Sequence, residues 1–440
     1  MLDLIIRNAR VHRPVGRSPA AGVASLLDIG IRDGQIDAIA PNLDAPSKTE
    51  IDAEGYLVAP PFVDPHFHMD ATLSLGIPRL NVSGTLLEGI ALWGELKPQL
   101  TQDAVIERAL RYCDLAISQG LLSIRSHVDV CDDRLLAVEA LLEVKQKVAH
   151  AIDLQLVAFP QDGFYRSPNA QANLVRALDM GVDVVGGIPH FERTMADGAR
   201  SLTALCELAA ERDLMVDIHC DETDDPNSRH IETLAYEATR LGLGSRVVGS
   251  HVTSMHSFDN YYVTKLMPLI AESGMQIIPN PLINITLQGR SDTYPKRRGL
   301  TRVAELRAAG VNVAFGQDCC MDPWYPLGSA DMLSVAHMAV HALPMTSREG
   351  MAWAFDAVTV NGVKAMGLPD SSLRVGGPAS MVVLQARDPI EAVRMQPTRL
   401  HVIKNGVVVA QTPARLATLH LDGRPATLNP ADYAPPLDGA

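Results

Sequence analysis

No stretch of this chain reaches the ~18 uninterrupted apolar residues that a membrane-spanning helix needs. The first segment, MLDLIIRNARVH, carries an apolar run of only three residues, far short of a secretory signal. The expectation is a cytoplasmic protein with no membrane partner. Basic clusters are equally scarce. With a net charge of −13 and PKRRG (Pro295 to Gly299) as the one basic run, the electrostatic footprint of a nucleic-acid binder is missing. A small substrate that is not polyanionic fits better. The six cysteines form no C-x-x-C pair or regular framework, which points to reduced thiols rather than disulfides. Neither G-x-G-x-x-G nor G-x-x-x-x-G-K-[ST] occurs, so the phosphate loop that usually marks an open doubly wound sheet is absent.

What the 440 residues do contain is material for a large core, 47% of them being hydrophobic. Between Leu57 and Asp318 eight short apolar runs alternate with helical periodicity. They are YLVAPPFVDPHFH from Tyr56, LLSIRSHVDV from Leu121, LQLVAFPQ from Leu154, DVVGGIPH from Asp183, MVDIHCDE from Met215, SRVVGSHVT from Ser245, MQIIPNP from Met275 and NVAFGQD from Asn312. Eight strand–helix units predict an α/β fold, a (β/α)8 TIM-like barrel. One intervening helix is expected from Asp132, with that aspartate as its cap, and another from Ser201. Residues 1–56 and 376–440 read instead as short strands, with Asp-Gly and Asn-Gly hairpin signals in RDGQ and KNGV. They are expected to pair into a small β-sandwich domain built from both termini, flanking a catalytic barrel over 57–375. The Pro-rich end NPADYAPPLDGA is expected to be irregular.

In such a barrel the active site is lined by side chains at the carboxyl ends of the strands. The first strand ends in His66 and His68, two residues apart and therefore on one face. The second supplies His127, the third Gln161, the fifth His219 and Glu222, the sixth His251 and the eighth Asp318. Each alone reads as ordinary polar decoration. Together at one mouth, three histidines and a carboxylate suit a borderline divalent metal.

The stretches PFVDPHFHMD, VAFPQ, HCDETDD, SHVTSMHS, NPLINITLQGRSDTYPKRRG and DPWYPLG make the chain recognisable: it resembles the bacterial-type cytosine deaminases of the amidohydrolase superfamily over nearly its whole length. The resemblance implies one catalytic metal and hydrolytic deamination of a pyrimidine base, in a homo-oligomer. It makes His66, His68, His219 and Asp318 the metal shell for Zn2+ or Fe2+. Glu222 and His251 become catalytic together with Asp318, and Gln161 a substrate-binding amide. Two-metal members of the superfamily place a bridging carboxylated lysine on the fourth strand; here no lysine lies between Lys147 and Lys265, and that strand ends in His190. The H-x-E and P-C-x-x-C signature of the small cytidine-type deaminases is absent.

On this reading Glu222 protonates the ring nitrogen, Asp318 takes the water proton and relays it to the leaving amine, and His251 orients the water and polarises the growing charge. Trp324 is a candidate wall for the flat ring, and Leu86 is assigned to the same pocket. Where the family reads Gly-His-Asp-Asp after the eighth strand, this chain has GQDC, so Cys319 replaces an acidic residue expected at the C5 edge of the ring. A cysteine there acts as a small hydrophobe and removes the cost of desolvating a carboxylate against a methyl group. The expectation is a taste for 5-methylcytosine. The alternatives are another aminated ring (isocytosine, an aminotriazine, isoguanine), a ring-opening cyclic amidohydrolase, and a barrel that serves only as a scaffold.

Overall fold

The computed structural model describes residues 1–15 and 26–433. Seven strands form one parallel sheet in sequential order: Phe62–Phe67, Leu121–Asp129, Asp153–Phe159, Val184–Gly187, Met215–Cys220, Val247–His251 and Gln276–Ile278. The eighth segment, around Asn312 to Asp318, closes the barrel without becoming a regular strand. It makes parallel bridges from Val313 to Ile277 and from Asp318 to Phe67. Backbone hydrogen bonds of 2.8 Å from Asp318 N to His66 O and 2.9 Å from His68 N to Asp318 O seal the last seam. The irregularity has a local cause, since Asp318 sits at φ +71, outside strand geometry.

Burial on both faces explains the composition of these strands. All nine residues of Leu121–Asp129 are buried. Leu122, Ile124, Ser126 and Val128 face one side by strand periodicity, and Ser123, Arg125, His127 and Asp129 the other. The barrel interior is therefore polar. In it the guanidinium of fully buried Arg125 donates to Asp217 Oδ2 at 3.0 Å and to Gln155 Oε1.

The chain ends build a second sheet, in which Leu2–Val11, Leu27–Arg32, Gln35–Ala40, Leu57–Ala59, Met381–Leu384, Arg399–Lys404 and Val407–Gln411 join, with Ser47–Asp52 paired to the first of them. Both expected hairpins are present. Asp33 and Gly34 (φ +49 and +74) and Asn405 and Gly406 (φ +49 and +79) turn as the two-residue type I′ loop requires. The two turns meet: a Cβ on Gly34 would lie 3.2 Å from Asn405 O. Ile6, Ile29, Ile31, Met381 and Ile403 fill the core of this sheet.

Four local expectations are corrected. The run from Tyr56 is two strands, because Pro60 and Pro61 interrupt the ladder and Leu57–Ala59 pairs with the terminal sheet. The helix expected from Asp132 begins at Leu136. Asp132 instead accepts from Arg134 N at 3.1 Å, and Leu135 takes a left-handed φ of +50, which breaks the helix there. The helix expected from Ser201 starts at Met195, capped by Thr194, whose Oγ1 accepts from Asp197 N at 3.0 Å. The expected irregular tail is a short 3-10 turn at Pro430–Tyr433; residues 434–440 lie outside the described part.

Candidate active site

His66 and His68 leave the first barrel strand on one face, as their spacing requires, and meet His219 from the fifth strand and Asp318 from the closing segment. His68 Nε2 lies 2.9 Å from His219 Nε2. Asp318 Oδ1 is 3.1 Å from His66 Nε2 and 3.4 Å from His68 Nε2. Two imidazole nitrogens so close cannot both present lone pairs unless a proton or a cation lies between them. Two overlapping sets, His66/His68/His127/His219 and His66/His219/His251/Asp318, each bring their ligand atoms within 4.8 Å of one another. Both nitrogens of His66 and His127, His219 Nδ1 and Asp318 Oδ1 are buried with no hydrogen-bond partner. Unpaired atoms of this kind are rare in folded proteins, and a nitrogen-rich set with one carboxylate fits a borderline divalent ion.

Asp217, two residues before His219 and on the same face, lies beneath this cluster, 3.8 Å from His66 Nδ1 and 3.7 Å from His127 Nε2. Arg125 and the Ser250 hydroxyl hold its carboxylate. Burial depresses the basicity of His127 to about 3, keeping its ring neutral.

Glu222 and Asp318 are two buried carboxyls pushed in opposite directions. Burial, with Asp318 nearby, raises the Glu222 pKa well above the usual range. Burial also opposes charge on Asp318, but His251, His66 and His68 outweigh it and hold that carboxyl well below the usual range. Such a split separates a proton donor from a proton acceptor at one site. His251 stands between them, its Nδ1 3.6 Å from Glu222 Oε1 and its Nε2 4.0 Å from Asp318 Oδ1. Asn284 Nδ2 lies 3.0 Å and Asn280 Nδ2 3.2 Å from His251 Nδ1. An amide donating to Nδ1 leaves the ring proton on Nε2, facing Asp318. His251 and the following Val252 have φ of +66 and +50. For a β-branched residue that conformation is strained and persists only where the surroundings enforce it.

A cavity opens above these groups, and Leu86, Gln161, Glu222, Asp318, Cys319 and Trp324 all line it. Every residue assigned to the site from the sequence is thus gathered at one mouth, with His66 and His251 in its floor. Asn280, Asn284, Asp217 and Asp221 went unnoticed in the sequence. Asp221 has φ +52 and accepts hydrogen bonds from Ser228 Oγ, His230 N, His230 Nδ1 and Ile231 N, which fixes the backbone between His219 and Glu222. The one local signal was NPLIN, whose two asparagines stand four apart at a helix start.

Comparison with known proteins gives a consistent result. Residues 49–410 match the amidohydrolase family. N-isopropylammelide isopropyl amidohydrolase of Pseudomonas sp. (strain ADP) is 30% identical over 416 residues, 93% of this chain and 97% of that protein. Pterin deaminase of Rhizobium rhizogenes is 29% identical over 87% of each chain. The crystal structure of 5-methylcytosine deaminase from Klebsiella pneumoniae, liganded with 5-fluorocytosine, superimposes with a TM-score of 0.89 at 44% identity, covering 93% of this chain and 98% of that one.

Proposed function

The chain belongs to the amidohydrolase family, a hydrolase acting on C–N bonds, and on that premise we propose that it deaminates cytosine-type bases and favours 5-methylcytosine. The observation that carries the deaminase reading is the split pair of carboxyls beside the histidine cluster. The similarity to a 5-methylcytosine deaminase supports the choice of base.

His66, His68, His219 and Asp318 would hold one divalent ion, Zn2+ or Fe2+, and that ion supplies the Lewis acidity that readies a water molecule for attack at neutral pH. Glu222, kept protonated by burial, donates to the ring nitrogen beside the amine. Asp318, kept ionised by its histidines, accepts the proton the water loses and passes it to the departing amine. The carbon–nitrogen bond breaks, ammonia leaves with that proton, and the second proton of the water returns to Glu222 as the remaining oxygen becomes the ring carbonyl. His251 donates from Nε2 to the attacking oxygen, its ring held by Asn284. Gln161 offers one amide both to donate to a ring carbonyl and to accept from a ring N–H. A ring-opening amidohydrolase would need no proton on Glu222, so its raised pKa favours deamination. The catalytic unit is the barrel within residues 57–375, without Leu57–Ala59, which belongs to the terminal sheet; 1–56 and 376–440 flank it in sequence. The resemblance implies a homo-oligomer, and light scattering on purified protein reads the assembly.

Cys319 carries the finer reading. Its thiol is buried at the pocket wall, 3.6 Å from Asp318 Oδ2. Burial, with Asp318 and Asp322 nearby, holds its pKa well above the usual range, so it stays an uncharged thiol. A methyl group on C5 meets no charge there. Discrimination by one such group is typically about 1–3 kcal/mol, roughly 10–200-fold. The test compares kcat/KM for cytosine and 5-methylcytosine in the parent and in Cys319→Asp. The parent should favour 5-methylcytosine and the variant cytosine. An unchanged preference removes Cys319 from the C5 wall.

A further inference from the structure

Gly89 lies in the helix Leu86–Leu96, which covers one side of the pocket. Positions 86, 89 and 93 stand three and four apart and share a face of that helix. Leu86 lines the cavity, and Trp93 packs on Trp324 with ring centroids 6.1 Å apart. Between them the Trp324 indole approaches the helix backbone so closely that a Cβ on Gly89 would sit 2.2 Å from Cδ1 and 2.6 Å from Nε1. Real side chains do not tolerate such contacts. The backbone of Gly89 is ordinary helix, where glycine is disfavoured against alanine. Torsion therefore does not explain the residue, whereas the indole does.

The seat has a polar cost as well, because Trp324 Nε1 is buried without a hydrogen-bond partner. The loop behind the indole has little freedom to retreat. Asp322 Oδ1 accepts from Trp324 N and Tyr325 N, both at 2.9 Å, and Asn81 Nδ2 donates to Pro323 O at 3.1 Å. Atoms added at position 89 therefore press the ring towards the cavity that it lines together with Cys319.

We propose that Gly89 is a positioning residue that sets the width of the substrate pocket by seating Trp324, and so admits a ring with a small substituent. The substituent in question rests on the reading of the cavity as a pyrimidine site. Gly89 touches no substrate; it acts through the indole.

Three variants test this: Gly89→Ala, Trp324→Phe and the two combined. In Gly89→Ala the ratio of kcat/KM for 5-methylcytosine to that for cytosine should fall about tenfold. In the double variant the ratio should return to that of Trp324→Phe alone, since a phenyl ring leaves room for the added methyl. Gly89→Ala should also lower Tm in the parent and lower it less in the Trp324→Phe background. An unchanged ratio, or an equal fall in Tm in both backgrounds, overturns the proposal. Should the parent deaminate neither base, the pyrimidine reading falls by itself. The seat is then decided by the stability pair: unequal falls uphold it and equal falls overturn it.

Discussion

Asp28, in the sheet built from the chain ends, and Asp318, at the barrel mouth, are both buried carboxylates, 5% and 4% exposed. Asp28 accepts from Arg7 Nη1, Asn8 N and Leu43 N at 2.9, 3.0 and 2.9 Å. Asp318 Oδ1 has no hydrogen-bond partner, although His66 Nε2 is 3.1 Å away. The backbones differ in the same sense. In the terminal sheet, left-handed conformations fall at Asn8, Asp33 and Asn405, types that tolerate them, and at Glu54. At the mouth they fall on Asp221, His251, Val252 and Asp318. In the terminal sheet Asp28 is fully paired and adds stability, although His401 Nδ1 there is buried without a partner. The mouth holds unsatisfied groups in place, which costs stability and leaves donors free for a ligand.

Substitutions at the mouth should therefore change chemistry more than folding, and substitutions in the terminal sheet the reverse. The largest effect is expected for His219→Ala, which removes a proposed ligand: bound metal and activity should fall together, kcat by about 10³-fold or more, while Tm measured without metal holds or rises. Metal analysis beside turnover checks it. Glu222→Gln should keep its metal and lose about 10²–10⁴-fold in kcat, because only the proton is missing. Near-normal turnover would remove Glu222 from that role.

In the terminal sheet, Ile29→Ala empties a fully buried site facing Ile6 and should cost about 2–5 kcal/mol in denaturant unfolding with kcat unchanged at ambient temperature. A drop in kcat would mean the two regions are coupled. The smallest effect concerns pH. Burial opposes charge on Asp28, but the Asn8 and Leu43 amides and the Arg7 guanidinium outweigh it and lower the pKa below 3.8. A lowered folded-state pKa contributes stability that is present above the unfolded value and is lost as pH falls through the folded one. Asp28→Asn should thus be less stable than the parent at pH 7, with the gap in Tm closing below about pH 4. A gap that does not narrow at all as pH falls below about 4 would show that the carboxylate charge is not what the amides hold.

The two regions also differed in how much of them the sequence revealed. RDGQ and KNGV announce their hairpins because a type I′ turn admits few residue types. His66 and His68 announce a shared face because strand periodicity is two. The start of the helix near Asp132 is not legible, since an aspartate caps a turn as readily as a helix. Asp217 and Asn284 escaped notice because their partners, Arg125 and His251, lie 92 and 33 residues away in sequence. Gly89 is legible only once Trp324 is seen against it.

The barrel mouth is expected to release ammonia from an aminated ring. Purified, metal-loaded protein offered 5-methylcytosine, cytosine and, in parallel, a dihydropyrimidine or a hydantoin puts it to the test directly. The expected result is ammonia in step with loss of the aminopyrimidine, with the cyclic amides untouched. Ring opening of the cyclic amides without ammonia from either base would contradict it.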